Sequence, residues 1–202
     1  MSQPSTSRIV LDNRLSYLGF GAAWLVGHGA TALANGENPL VAMPSALPSA
    51  LLVGGMLVAM IVTGVVSARA QRGATGSDAV VGNLLAASWA VGFGALFIVI
   101  TALSSALNNP AVESLLWPAG SGLVVGLLYL AGGSAYRDVQ QYALGSRLAL
   151  ISAAALFLGG VSAYWLLALA GGGAYLLAAA LEPRRRAAVL AERRRCAVAV
   201  PA

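Results

Sequence analysis

Long apolar runs without charge alternate along this chain with short stretches that collect its polar and ionisable residues. The pattern predicts helices over about 17–34, 47–68, 84–107, 117–136, 148–160 and 163–181. Most of these runs approach the roughly 20 residues that carry an α-helix across a ~30 Å hydrocarbon core. The first four are sharply bounded. The last two share an uncharged stretch, 148–181, that reads as two spans turned at Gly159-Gly160 or as one span plus a surface helix. Glycine suits the turn because it takes positive φ freely. The expected fold is all-α: a polytopic integral membrane helical bundle of six transmembrane helices, with five as the alternative. Residues 1–16 flank it as a cytoplasmic N-terminal segment, 17–181 form one transmembrane domain, and 182–202 form a basic cytoplasmic tail.

Charge sharpens this picture. Only 9% of the 202 residues are charged, against roughly 25% in soluble domains. All twelve basic residues are arginine, and their placement sets an orientation. The linkers NGENPLVAMPSALP and SSALNNPAVESLLWP hold none, whereas ARAQRGATGSD and YRDVQQYALGSR hold two each. Short arginine-rich loops stay cytoplasmic. With Arg8 and Arg14 also inside, every arginine up to Arg147 falls on one side. Six more lie in the tail EPRRRAAVLAERRRC, and a sixth span returns them to that side. The price is a fifth helix of only about 20 Å at 1.5 Å per residue, accommodated by bilayer thinning or by snorkelling of Arg147. The net charge of +5 therefore signals orientation and contact with anionic lipid, with no nucleic acid implied.

The phrase WLVGHGA at Trp24–Ala30 returns as WAVGFGA at Trp89–Ala95. Further matches follow in order: TAL at 31–33 and 101–103, Asn38-Pro39 and Asn109-Pro110, Pro48 and Pro118, and Ser67-Ala68 and Ser134-Ala135 before an arginine. Two-span units keep their orientation when copied, so the expectation is a tandem parallel repeat of a helical hairpin, about 17–72 and 82–137. The small residues at 32–34 after a basic start look like a signal cleavage site, but their echo in the third helix favours retention of the first span.

The available chemistry excludes a good deal. The chain has no lysine, so it carries neither a phosphate-binding P-loop nor a retinal Schiff base. One histidine and one remote cysteine, Cys196, make no metal cluster, and no carboxylate in a span can orient His28 as a base. No enzyme activity, cofactor or metal is expected. His28, Asn83 and Tyr129 are the candidate solute-path or gating residues, since ionisable and polar groups inside spans mark sites by default. The preferred reading of His28 is nevertheless a packed aromatic plate, because its repeat counterpart is Phe93. Gly19, Ala23, Gly27 and Gly29, with Gly92, Gly94, Gly122, Gly126, Trp24 and Trp89, form the candidate helix-packing set. Small residues at four-residue spacing let helix backbones approach closely. Abundant Ala, Gly and Arg without lysine suggest a bacterial source.

The function expected is a small bacterial plasma-membrane transport component, a permease, channel or membrane subunit, for a small neutral or weakly polar solute. Lipid bilayer, other membrane subunits or further copies of the chain, and a separate ATPase chain supplying any ATP-driven energy are the expected partners. The rival is a non-transporting membrane scaffold or assembly subunit of a larger complex.

Overall fold

The computed structural model describes residues 12–72 and 75–198, without the side chains of residues 70, 111, 193 and 196–198. The readings made of Arg8 and of the Cys196 thiol lie outside these, as do parts of the expected terminal segments. Helices are α1 (Arg14–Ala34), α2 (Leu47–Ala70), α3 (Ser77–Leu107), α4 (Pro110–Tyr136), α5 (Val139–Leu158), α6 (Gly160–Leu166) and α7 (Gly173–Val198), with a π-helical turn at Leu167–Gly172 joining the last two. No strand occurs among the described residues. The protein is an all-α membrane helical bundle. Five stretches are long and apolar enough to cross a bilayer: α2, α3, α4, α5 and the continuous rod that begins with α6. α1, at 21 residues, is as long as α5 and lies at the centre of the bundle.

Several boundaries differ from expectation, each for a local reason. The fifth helix begins at Val139 instead of 148, because the Asp138 carboxylate caps it by accepting from the Gln141 N–H at 3.1 Å. At 20 residues it spans about 30 Å, so no short fifth helix has to be accommodated. Arg147 lies on this helix and is exposed, about 12 Å from its start. The fourth helix begins at Pro110 instead of 117. Asn108 takes a left-handed φ of 46°, which asparagine tolerates, and proline fits a first helical turn. The third begins at Ser77 instead of 84. After the turn formed by Gly159 and Gly160, at φ 64° and 47°, the last rod starts at 160 and does not stop at 181; it runs through the residues expected to form the tail.

Successive helices pack antiparallel, in the order α2, α1, α6–π–α7, α5, α4, α3. The α1–α2 register is set by small residues. A Cβ placed on Gly19 would meet Ala59 at 3.2 Å, Gly55 faces Ala23, and Gly27 faces Leu52. The α4–α5 interface is closer still: Gly126 lies against the Ala149 backbone, Gly133 against that of Tyr142, and Gly145 against that of Leu130. Such approach gains van der Waals contact that bulkier residues would forfeit. Tyr17, Phe20 and Trp24 of α1 meet Tyr129 of α4 and Tyr175 of α7 in the buried centre, with ring centroids 5.7–6.2 Å apart. α3 lies at the edge and packs on α4, whereas α1 is central. Packing alone therefore does not show the tandem repeat.

Candidate functional site

The site is built around Trp24. Its indole is almost fully buried (2% exposed) because two glycines clear a slot for it. A side chain on Gly171 in the π turn, or on Gly122 of α4, would collide with the ring. The π turn inserts an extra residue into the helical repeat, a distortion often found at functional sites. Here it lays glycine backbone against the indole. Trp24 is thereby the floor of a cavity of about 880 Å³, within the roughly 300–1,000 Å³ common for small-molecule sites.

Four helices and the α1–α2 loop wall this cavity, with Phe93 of α3 contributing at depth. On α1, Trp24, His28, Thr31 and then Asn35 beyond its end climb one wall from floor to mouth. α2 supplies Ser49, Leu52, Met56 and Met60 at three- and four-residue spacing, which places them on one helix face. α4 supplies Leu115, Trp117, Pro118, Ser121 and Val125, and α6 supplies Val161 and Tyr164. Pro118 has a structural consequence there. Lacking an N–H, it cannot bond the Ser114 carbonyl one turn earlier, and the Tyr164 hydroxyl donates to that carbonyl at 2.9 Å. α6 is thus pinned to α4 at the mouth.

The polarity of the cavity is graded. Asn35, Ser45, Ser49 and Ser114 lie at the mouth, while Trp24, Met56, Met60, Phe93 and Val125 lie deep. His28 sits between, 2% exposed, edge-on to Trp24 at 5.2 Å between centroids. Its Nδ1 has no hydrogen-bond partner. Among the described residues no arginine, aspartate or glutamate lines the cavity. Its chemistry suits an uncharged guest that is mostly apolar with a hydrogen-bonding end.

A second polar cluster closes the opposite end. Glu182 on α7 is fully buried and accepts from the Asn13 backbone N–H at 3.0 Å and from the Gln140 amide at 3.0 Å. Arg185 bonds it twice, at 2.5 and 2.9 Å, and reaches Asp138 at 3.0 Å. Arg186 pairs with Asp12. The Ala178 carbonyl, one turn before Glu182, also accepts from the Gln140 amide, at 2.8 Å. This ionic end ties the start of α1, the start of α5 and α7 together, and it places the two ends of the described chain on one side of the bundle.

Among the sequence candidates, His28 lines the cavity, but Asn83 is exposed on α3 and Tyr129 is buried in the aromatic centre away from the cavity wall. Gly19, Ala23, Gly27, Gly92, Gly122 and Gly126 all sit at close contacts. Gly29 and Gly94 adjoin open space. Trp89 is half-buried, stacked on Phe93 at 12° and edge-on to Tyr129. Sequence reasoning missed the α2 face and the Glu182–Arg185–Asp138 cluster. The three- and four-residue spacing of Ser49, Leu52, Met56 and Met60 was the available signal for the first. The second joins residues over 40 positions apart and left none. Among the described residues no group of His, Cys, Asp and Glu is placed to hold a metal. No family model matches the chain, and no curated protein or solved structure matches it either.

Proposed function

We propose that this protein is a small transport component of a bacterial plasma membrane, with both termini cytoplasmic, that takes a small neutral or weakly polar solute into the cavity from the outer face. The cavity itself carries the reading: a graded chamber reaching Trp24 from the end of the bundle opposite the ionic cluster. Arg69, Arg72, Arg137 and Arg184–Arg186 lie toward the ionic end and none at the mouth, which supports the orientation through the positive-inside bias. No P-loop lysine is present, so ATP-driven movement would draw on a separate ATPase chain. His28 lines the chamber between its polar mouth and its apolar floor, where its ring suits a contact to the guest.

Native mass spectrometry of protein released from mild detergent tests this. A bound adduct of defined mass is expected, and it is lost or weakened in His28→Phe, whose unfolding free energy stays within about 1 kcal/mol of the parent because no hydrogen bond of Nδ1 is broken. An empty protein that no uncharged solute stabilises would overturn the proposal. One observation favours a scaffold as the second reading: α3 packs along α4 and leaves most of its 31 residues to lipid or to a neighbouring subunit. Stoichiometric recovery of a larger complex, with no adduct on the chain, would favour that reading.

A further inference from the structure

We propose that the cavity's guest is a lipid, specifically a single-tailed amphiphile with an uncharged hydroxyl or carbonyl headgroup, entering sideways from the outer leaflet. This rests on reading the cavity as a solute site and names the class of solute.

The first argument is depth. The cavity-lining face of α2 runs from Pro48 to Met60 and that of α4 from Ser114 to Val125, so the chamber extends about 16–18 Å along both helices at 1.5 Å per residue. One leaflet of a ~30 Å hydrocarbon core is about 15 Å deep. The chamber is therefore one lipid tail deep, and its long walls are mainly apolar, broken by His28, Thr31 and Ser121. The second argument is the polar ring. Asn35, Ser45, Ser49 and Ser114 sit only at the mouth, where a lipid headgroup lies when its tail points inward. A small polar solute would need such groups at the floor, and the floor offers Trp24, Met60 and Phe93.

The third argument is the open side. Val53, Leu57 and Met60 line the chamber yet are 57%, 55% and 51% exposed. A wall residue that is also half-exposed marks a gap in the wall. These residues lie on α2, which among the described residues packs along α1 and makes no extended contact with α4. In a membrane that gap opens onto acyl chains, not water. The headgroup restriction follows from charge. With no arginine among the lining residues, a phosphate drawn below the rim would lose its hydration without a compensating partner. A hydroxyl or carbonyl is satisfied by the amide and serines of the rim.

Trp24 provides the test, because it is buried from bulk lipid yet floors the chamber. The full chain bearing Trp89→Phe, Trp117→Phe and Trp165→Phe, in phosphatidylcholine nanodiscs, is titrated with a monoacylglycerol brominated near its tail end. Saturable quenching of Trp24 is expected, abolished by Val53→Phe with Met56→Phe, and weakened about fivefold by Asn35→Leu, as for loss of one hydrogen bond. A brominated alkyl phosphate or brominated phosphatidylcholine should quench little. Equal quenching by either would overturn the headgroup selection. Quenching by 3-bromopropanol but not by the monoacylglycerol would overturn the lipid inference while leaving a small-solute site intact. Quenching by none of the probes would overturn both.

Discussion

A single methyl group separates two of the glycines in this bundle in a way that can be measured. Gly145 on α5 faces backbone only: an ideal Cβ there would lie 2.5 Å from the Leu130 nitrogen, 2.6 Å from the Gly126 carbonyl oxygen and 2.9 Å from the Tyr129 carbonyl carbon. Backbone cannot rotate away as a side chain can. Restoring ordinary contact means parting α4 and α5 by close to 1 Å at their tightest point, and overpacking of a close-packed interior costs about 1–3 kcal/mol. Gly145→Ala is expected at the upper end, because the same displacement loosens the neighbouring Gly126–Ala149 and Gly133–Tyr142 contacts. Gly29 on α1 is the control. Nothing lies within 4 Å of its Cβ position, so Gly29→Ala gains helix propensity, up to about 1 kcal/mol, and meets no clash. The same chemical change should thus move stability in opposite directions, with a spread of about 3 kcal/mol or more than a hundredfold in the unfolding equilibrium. Thermal midpoints by size exclusion in mild detergent, or equilibrium unfolding by steric trapping, would measure it. If Gly145→Ala matched the parent, or both variants fell equally, close backbone approach at α4–α5 would not be what holds this bundle together.

Two further outcomes follow from the ionic end. Arg185→Gln leaves the fully buried Glu182 without its cation, and breaking one side of a buried pair costs about 3–5 kcal/mol; the exposed neighbour change Arg184→Gln should cost under about 0.5 kcal/mol, and equal melting of the two would refute the clamp. In intact cells, a Cys196→Ser chain carrying Ser45→Cys should react with a membrane-impermeant maleimide, whereas Thr75→Cys in the same background should react only after permeabilisation. The reverse pattern would invert the proposed orientation.

The amino-acid sequence by itself determined the class of protein. Uncharged runs of bilayer length, separated by arginine-bearing turns, leave a helical bundle in lipid as the sole reasonable outcome, because buried backbone in a membrane must satisfy its hydrogen bonds within each helix. Gly19, Ala23 and Gly27 at four-residue spacing also announced a contact face, since side-chain direction along a helix is fixed by its period. Helix starts were less legible. Gln140 and Gln141 read as loop because polarity usually marks water, yet here Gln140 is turned inward to Glu182 and Ala178.

Only the tertiary structure decided which polar residues matter. His28, Asn83 and Tyr129 look alike as polar interruptions of apolar helices, but the rotation of each helix about its own axis puts one in a chamber, one on the exposed surface and one in the core. That rotation is set by partners far along the chain: Gly171 and Gly122 make room for Trp24, and Glu182 gathers Asn13, Gln140 and Arg185. Local periodicity gives a helix its faces. Which neighbour each face meets depends on packing across the whole bundle.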